Sequence, residues 1–261
     1  MANNPFSLEG KNAWITGASY GIGFNIAKAF VAAGIKTIIF NDINEEFLER
    51  GLNNYKEAGI TNVKGYVCDV TKEDDVKALV EKIHAEVGNI DILVNNAGIP
   101  DCHMPTVKLT DELWDDVVDT DLKGVMRCCR AVLPHMVARN YGAIVNIASI
   151  GGVYACAGAS YSAAKAGVLA LTKNLAIQYF GSGIRVNSVS PGGTDTPLFS
   201  PEMAANADKE MMEITAQHHL HPHPNARLSP MEQAYAILFL ASDEASGING
   251  ENLTVDYGGR L

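Results

Sequence analysis

A tyrosine and a lysine four residues apart, Tyr161 and Lys165, are well suited to moving a proton. The residues around them favour a helix, and on a helix this spacing places both side chains on one face. A free phenol has a pKa of about 10, and lowering it by about three units requires roughly 4 kcal/mol of preferential stabilisation of the phenolate. A neighbouring ammonium supplies much of that stabilisation. The pair therefore predicts a general acid/base, Tyr161, whose acidity Lys165 adjusts.

A serine hydroxyl precedes this pair in the sequence, and the residues between them are about as many as one loop contains. Ser149 lies twelve residues before Tyr161 and is predicted to hold a substrate oxygen beside the phenol. Taken alone, a tyrosine and a lysine at this spacing are more often an ordinary exposed pair on a helix. The motifs elsewhere in the chain favour catalysis.

A glycine-rich turn near the N-terminus is suited to binding phosphate. It runs Thr16-Gly17-Ala18-Ser19-Tyr20-Gly21-Ile22-Gly23, between a predicted strand and a helical pattern. A helix N-terminus offers free backbone N–H groups, and glycines let a pyrophosphate approach closely. Asp42, about 20 residues further on, can accept hydrogen bonds from an adenosine ribose. The pattern predicts a dinucleotide site; the alternatives are a plain glycine turn and an Asp42 that only caps the helix beginning near Asn44.

Seven short β-branched runs alternate with amphipathic stretches along the sequence. The strands and helices that they predict would position the candidate catalytic residues and the glycine turn. Strands are predicted over residues 12–16, 37–41, 63–68, 92–95, 143–147, 185–189 and 253–256, and helices over 25–33, 45–58, 74–87 and 113–139. This alternation predicts an α/β fold with a Rossmann-type, doubly wound, seven-stranded parallel sheet. Residues 1–261 are predicted to form a single domain, with a lid over the substrate at about 191–230.

Composition excludes several classes of protein. The 261 residues are 47% hydrophobic and 19% charged, which is typical of a globular chain. The net charge of −10 argues against nucleic-acid binding. No secretory signal pattern occurs at the N-terminus, and polar residues interrupt the uncharged stretch 140–164, so a cytoplasmic protein outside the membrane is expected. Five cysteines without a C-x-x-C pair argue against a disulfide framework or a zinc site, and no metal is expected.

The motifs occur together, and in the same order, in the short-chain dehydrogenase/reductase family, which the sequence resembles over nearly its whole length. The resemblance is carried by the Gly-x-x-x-Gly-x-Gly turn, Asp69-Val70, Asn95-Asn96-Ala97-Gly98, Ser149, Tyr161-Ser162-Ala163-Ala164-Lys165 and Pro191-Gly192 through Thr196. It implies an oxidoreductase that interconverts a secondary alcohol and a ketone, with hydride passing between the substrate and a nicotinamide cofactor. The implied cofactor site comprises Gly17, Ser19, Tyr20, Gly21, Ile22, Gly23, Asp42, Asp69, Val70, Asn96, Ala97, Gly98, Tyr161, Lys165, Pro191, Gly192, Thr194 and Thr196.

Asp42 also predicts which cofactor is bound. Its charge would repel the 2′-phosphate of NADP, and neither lysine nor arginine stands at Ser19, Tyr20, Asn41 or Ile43, where NADP-preferring relatives often carry a cation. NAD is therefore predicted over NADP. The resemblance further implies a homotetramer or homodimer, formed through the helices that follow the fourth and fifth strands. The alternative of another class is a catalytically idle NAD-binding sensor, which the intact acid/base pair argues against.

Two features depart from the family pattern. In the family the tyrosine more commonly follows the serine by thirteen positions, against twelve from Ser149 to Tyr161, a difference that a loop can absorb. Asp121 stands where the family often has an asparagine that takes part in a proton relay. Asp121 is expected to fill that role chiefly through its backbone carbonyl, and its carboxylate near Lys165 is expected to alter the pH profile.

The substrate is less narrowly predicted. The N-terminal half is most like gluconate 5-dehydrogenase-type members, yet Pro100-Asp101-Cys102-His103 stands where those enzymes tend to carry arginines that suit a carboxylate. Apolar residues follow Ser149, and the lid adds Leu198, Phe199, Met203, Met211, Met212 and Ile214, although the lid methionines could instead pack against their own helix. The expected substrate is either a sugar acid or polyol, or a hydrophobic hydroxy compound such as a hydroxysteroid or bile acid. The lid histidines His218, His219, His221 and His223 are interpreted as solvated, subunit-facing or substrate-contacting residues rather than metal ligands.

Overall fold

A seven-stranded parallel sheet forms the centre of the molecule in the computed structural model, which describes residues 5–197, 205–217 and 227–259. The strands are β1 (Asn12–Thr16), β2 (Thr37–Asp42), β3 (Val63–Val67), β4 (Ile92–Asn95), β5 (Gly142–Ile147), β6 (Ile184–Pro191) and β7 (Asn252–Val255). They lie in the order β3-β2-β1-β4-β5-β6-β7, with every neighbouring pair parallel. The strand order reverses between β1 and β4, the place where folds of this kind bind ligands. The predicted doubly wound sheet is confirmed.

Helices cover both faces of this sheet. They are α1 (Gly21–Ala32), α2 (Glu45–Glu57), α3 (Glu73–Glu86), α4 (Asp111–Val118), α5 (Val125–Arg139), α6 (Ile150–Tyr154), α7 (Ala159–Gln178), α8 (Lys209–Gln217) and α9 (Pro230–Ala241). Ile15 and Phe40 pack on the face covered by α1 and α9, whereas Trp14 and Ile39 pack on the face covered by α3, α5 and α7. The central strands are therefore apolar on both faces, as a parallel sheet between two helical layers requires.

The helix predicted over 113–139 is divided in two by a π-helical turn. Residues Asp119–Gly124 form this turn between α4 and α5. A π turn contains an additional residue compared with an α-helical turn and often occurs at a functional site. Asp121 lies within it and is completely buried. The irregular turn is thus the element that positions the Asp121 carboxylate.

A helix lies within the stretch predicted to form the lid. The chain leaves β6, Thr194 forms a β-bridge with Leu228, and α8 lies between them in sequence. Met212 and Ile214 of α8 are 39% and 45% exposed, and neither lines the cavity, contrary to the expected apolar wall. The predicted lid residues Leu198, Phe199 and Met203 and the four histidines of 218–223 lie outside the described residues.

A buried chain of polar side chains ties α7 to the sheet. The Asn95 amide donates to Asn146 Oδ1 at 2.8 Å, and the Asn146 amide donates to Thr172 Oγ1 at 2.9 Å. The Thr172 hydroxyl donates to the carbonyl of Val168, one helical turn earlier. Buried hydrogen bonds of this kind are costly to leave unmade, so they fix the axial position of α7 against β4 and β5.

Candidate active site

A cavity of about 520 Å³ opens at the carboxyl ends of the strands, at the switch in strand order. It brings together most of the residues predicted for the site. Those that line it are Gly17, Tyr20, Gly21, Ile22, Asp42, Asp69, Val70, Asn96, Ala97, Gly98, Ser149, Tyr161, Lys165, Pro191, Gly192, Thr194 and Thr196. Three predicted residues, Ser19, Gly23 and Asp121, lie behind its wall. The cavity size and its mixture of apolar and polar groups are typical of a small-molecule site.

The glycine turn leaves room for a phosphate group because side chains would not fit there. Gly17 has a φ of +61°, and a Cβ on it would lie 2.9 Å from Ala97 Cα. A Cβ on Gly23 would lie 2.6 Å from Asn96 Nδ2. The turn feeds α1, whose N-cap Tyr20 makes no side-chain hydrogen bond to the first helical turn. This shape, with free N–H groups at a helix N-terminus, fits the pyrophosphate of a dinucleotide.

Asn96 braces the glycine turn rather than pointing at a ligand. Its amide donates to the carbonyls of Thr16 and Gly17, both at 2.9 Å, and its backbone N–H donates to Thr16 Oγ1 at 3.0 Å. Ser19, predicted for the cofactor site, is fully buried and faces Gly51 of α2. Both residues therefore help to shape the turn, and Asn96 also lines the cavity.

The acidic end of the cavity contains Asp42 and Asp69. The N-cap of α2 is Asn44, whose side chain accepts a hydrogen bond from the Phe47 N–H at 3.0 Å. This observation removes the alternative in which Asp42 caps that helix. Asp69 accepts hydrogen bonds from the N–H and the hydroxyl of Thr71, so it forms a turn and also lines the cavity.

Tyr161, Lys165 and Ser149 meet at the other end of the cavity. Lys165 Nζ lies 5.5 Å from the centroid of the Tyr161 ring and donates to the carbonyl of Ile147 at 3.1 Å. Ser149 is the N-cap of α6, and its hydroxyl oxygen accepts from the N–H of Gly151 at 3.0 Å. The interval from Ser149 to Tyr161 contains the short helix α6, a connecting segment and the start of α7. Proton donor, cation and hydroxyl thus share one corner, as proton transfer to a substrate oxygen requires.

The charges around Tyr161 act in opposite directions. Burial raises the pKa of Tyr161 above its usual value; Lys165 and a hydrogen bond with Ser149 lower it, and the carboxylates of Asp121 and Asp101 raise it. The phenol is therefore protonated near neutral pH in the chain alone. An additional positive charge at this end of the cavity would favour the phenolate.

Asp121 forms a buried ion pair with Lys165. Its Oδ2 lies 3.1 Å from Lys165 Nζ, and its Oδ1 accepts the N–H of Ile99 at 2.8 Å. Burial raises the pKa of the Asp121 carboxyl, with Lys165 opposing; burial would lower the pKa of Lys165, but Asp121 and Tyr161 raise it above its usual value. The structure thus engages the Asp121 carboxylate directly, whereas the sequence pointed chiefly to the backbone carbonyl.

Asp101 is a residue of the site that sequence reasoning missed. It is 2% exposed, and its Oδ2 accepts the backbone N–H of Tyr161 at 2.9 Å and the hydroxyl of Ser160 at 3.2 Å. Asp101 therefore caps the N-terminus of α7, where a carboxylate also favours the helix dipole. No local spacing could reveal this contact, because the partners are about sixty residues apart.

Among the described residues, no group of three or more histidine, cysteine, aspartate or glutamate residues is arranged to hold a metal ion. In the same ranges, no helix combines the length and apolar character needed to cross a membrane.

The fold, the glycine turn and the Ser–Tyr–Lys corner together define an oxidoreductase of the short-chain dehydrogenase/reductase type, and the chain belongs to that family. The family profile described as Enoyl-(Acyl carrier protein) reductase matches residues 17–259. The predicted family resemblance is thereby confirmed.

Relatives match the chain almost end to end. The 3-oxoacyl-(acyl-carrier-protein) reductase FabG of Thermotoga maritima is 39% identical over 253 residues, covering 96% of this chain and 98% of the relative. The cis-4-hydroxycyclohexanecarboxylate dehydrogenase of Sinomonas cyclohexanicum is 42% identical over 250 residues, covering 94% and 95%. The crystal structure of a gluconate 5-dehydrogenase from Burkholderia cenocepacia, in complex with NADP and tartrate, is 33% identical with a TM-score of 0.85, covering 99% and 98%.

Proposed function

We propose that this protein is an NAD-dependent oxidoreductase that interconverts a secondary alcohol and a ketone. The observation that carries the proposal is the corner formed by Ser149, Tyr161 and Lys165, which shares one cavity with the glycine turn and Asp42. The arrangement places an acid/base group in the same cavity as a glycine turn whose shape fits the pyrophosphate of a dinucleotide. A nicotinamide cofactor bound there would accept or supply the hydride.

The chain's own residues would transfer the substrate proton and hold the substrate oxygen in place. In alcohol oxidation, the substrate O–H proton would move to the Tyr161 oxygen, and a bound nicotinamide cofactor would supply the acceptor for the hydride of the carbinol carbon. Lys165 stabilises the phenolate that accepts this proton. The Ser149 hydroxyl donates a hydrogen bond to the substrate oxygen and holds it beside the phenol. In ketone reduction, Tyr161 returns the proton to the same oxygen.

The preference for NAD rests on Asp42. The described residues that line this end of the cavity, among them Tyr20, Ile43 and Phe47, include neither lysine nor arginine. The nearby Arg50 stacks on the Tyr20 ring at 4.7 Å. A carboxylate about 4 Å from a phosphate charge opposes it by about 4 kcal/mol at an effective dielectric constant of about 20. The NADP in the gluconate 5-dehydrogenase structure favours the opposite assignment, which makes cofactor choice a sharp test.

Cofactor choice is tested by measuring kcat/KM with NAD and with NADP. NAD is expected to be preferred, and Asp42→Ala should reduce the NAD-to-NADP ratio at least tenfold. Glu46→Ala, which removes an exposed carboxylate from the first turn of α2, should leave the ratio unchanged. A tenfold preference of the wild-type enzyme for NADP would contradict this part of the proposal.

The wall near Ser149 favours a hydrophobic hydroxy compound over a sugar acid. Ile99, Pro100, Ile150 and Ala157 line the cavity there. Lys165 is the single cation among the described lining residues, and it is paired with Asp121. We place an uncharged hydroxysteroid first among the candidates. A polyol follows, together with a bile acid and a sugar acid, which both carry carboxylates. The relatives named for a 3-oxoacyl group and for 4-hydroxycyclohexanecarboxylate extend the panel of compounds to be tested.

Turnover separates this proposal from an idle NAD-binding sensor. Purified protein is mixed with NAD and a panel of hydroxysteroids, bile acids, polyols and sugar acids, and the absorbance of the reduced cofactor is followed. Tyr161→Phe should abolish turnover and retain cofactor binding, whereas Tyr154→Phe, which alters an exposed tyrosine of α6, should retain turnover. Cofactor binding without turnover of any compound would favour the sensor.

The proposal includes a homotetramer or homodimer formed through α5 and α7. Ile177 in the last turn of α7 and Phe180 just after that helix are 75% and 85% exposed, and Val137 of α5 is 38% exposed. Burial of such apolar side chains supports assembly. Light scattering of the wild type and of Phe180→Lys tests it; a monomeric wild type would contradict it.

A further inference from the structure

The loop that follows β4 has an unusual backbone where it passes the cavity. Cys102 and His103 are consecutive, both have a φ of +53°, and both line the cavity. Residues other than glycine seldom adopt this left-handed conformation, and two in succession persist only where the surrounding structure holds them. Such positions occur preferentially where a protein contacts a ligand.

Asp101 holds this segment against the helix that carries the acid/base group. Its Oδ1 accepts the N–H of His103 at 3.1 Å, and its carbonyl accepts the N–H of Met104 at 3.0 Å. Its Oδ2 accepts the N–H of Tyr161. The same carboxylate therefore fixes His103 relative to Tyr161, the geometry that a second contact to one substrate requires.

The His103 ring carries a polar atom for which the described residues supply no hydrogen-bond partner. This atom, Nδ1, is buried, and His103 lines the cavity. Burial lowers the pKa of His103, with Asp101 opposing, so the ring is neutral near neutral pH. Buried polar atoms in proteins are nearly always hydrogen-bonded, and a bound molecule can supply the missing partner.

The charges facing this ring disfavour an anionic ligand. Asp101 lies beside it on the same loop, and Asp208, which precedes α8, is paired with Lys108. On α7, Lys165 is already paired with Asp121. Two negative charges about 6 Å apart, at an effective dielectric constant of about 20, reduce binding about 100-fold.

We propose that His103 forms a substrate subsite that hydrogen-bonds an uncharged oxygen group, a second hydroxyl or a carbonyl, and that this subsite selects neutral substrates over carboxylates. The inference rests on the proposed function, since it names the substrate class of the same site. It assigns to the substrate two oxygen functions: one that reacts beside Tyr161 and one that binds at His103.

Matched pairs of compounds test the subsite directly. In each pair a neutral carboxamide takes the place of a carboxylate of nearly the same shape: 4-hydroxycyclohexanecarboxamide and its carboxylate, 3-hydroxybutyramide and its carboxylate, and gluconamide and gluconate. We expect the wild type to favour the amide at least tenfold in kcat/KM. His103→Asn keeps a residue that tolerates the left-handed backbone and removes the imidazole. It should lower kcat/KM about tenfold for the amides and leave cyclohexanol, which lacks a second oxygen, unchanged.

Two further variants complete the experiment. His103→Arg should reverse the preference toward the carboxylates, because it introduces a cation at the subsite. His135→Asn makes the control substitution on α5, outside the cavity wall, and should change neither ratio. A wild-type preference for the carboxylates, or an equal loss for amides and cyclohexanol in His103→Asn, would overturn the subsite.

Failure of the proposed function gives a different result. If the wild type binds NADH but oxidises no compound, the proposed function is contradicted. The subsite is then judged by calorimetric binding of the same pairs to the enzyme–NADH complex. Tighter binding of the amides that His103→Asn removes would support it, and any other order would overturn it.

Discussion

Replacing Asp121 by asparagine should move the pH dependence of catalysis toward acid. The carboxylate lies 3.1 Å from Lys165 Nζ and raises the pKa of both Lys165 and Tyr161. Charges at that distance attract each other by about 5 kcal/mol at an effective dielectric constant of about 20. If the repulsion between the carboxylate and the Tyr161 phenolate is about a quarter of this size, its removal lowers the pKa of Tyr161 by about one unit. The sign follows because removing a negative charge stabilises the phenolate, which is the form that accepts the alcohol proton.

The assay is kcat/KM for alcohol oxidation measured across the pH range. The acidic limb of the profile should move to lower pH in Asp121→Asn. The variant should also lose about 3–5 kcal/mol of unfolding free energy, because the Lys165 ammonium remains buried without its partner. Asp119→Asn is the matched control: Asp119 belongs to the same π turn but is 27% exposed and pairs with Lys123 and Arg127. It should cost less than about 1 kcal/mol and leave the limb in place.

The outcome that would refute this reasoning is specific. An acidic limb that stays in place, or moves to higher pH, in Asp121→Asn would show that the carboxylate does not influence the proton acceptor. A similar shift in Asp119→Asn would show that general surface charge is responsible.

Three other substitutions test separate parts of the site. Gly23→Ala should weaken NADH binding at least tenfold in a fluorescence titration, because the added Cβ would lie 2.6 Å from the bracing amide; Gly247→Ala, where a Cβ meets open space, should not. Asp101→Ala should lower kcat about tenfold and unfolding free energy by about 1–3 kcal/mol, because the N–H of Tyr161 loses its acceptor; an unchanged kcat would contradict its positioning role. Asp208→Ala removes the cap of α8 and the ion pair with Lys108 beside Cys102, whose carbonyl accepts the Asp208 N–H at 3.0 Å, so KM for the alcohol should rise several-fold while KM for NAD stays constant; equal effects on both would contradict a role for this contact in shaping the substrate end of the cavity.

The sheet could be predicted because its strands are buried on both faces. Runs such as Trp14-Ile15 and Ile38-Ile39-Phe40 have no polar alternation, which is how a parallel strand between two helical layers appears in a sequence. The Tyr161–Lys165 pair could be predicted because helical spacing is a local property. The strand boundaries differed by no more than two residues; β6, for example, extends to Pro191, whereas α1 begins at Gly21, four residues before the predicted start.

The rest of the site depends on contacts that local patterns do not contain. The π turn at Asp121 is defined by its backbone hydrogen bonds, which residue types do not record, so a continuous helix was predicted. Asp101 reaches Tyr161 only through the tertiary fold. Asn96 was assigned to the cofactor side by resemblance, whereas its amide is used within the protein to hold the glycine turn.

The hydrogen-bonded chain from Asn95 through Asn146 to Thr172 affects thermal stability and catalytic turnover in different ways, although the two are usually treated together. Apolar side chains of similar size at these three positions could preserve the packing of the sheet, and the melting temperature could even rise. The axial position of α7, which carries Tyr161 and Lys165, would then no longer be fixed by hydrogen bonds. Selection for heat resistance alone would thus produce chains that fold and bind yet turn over slowly.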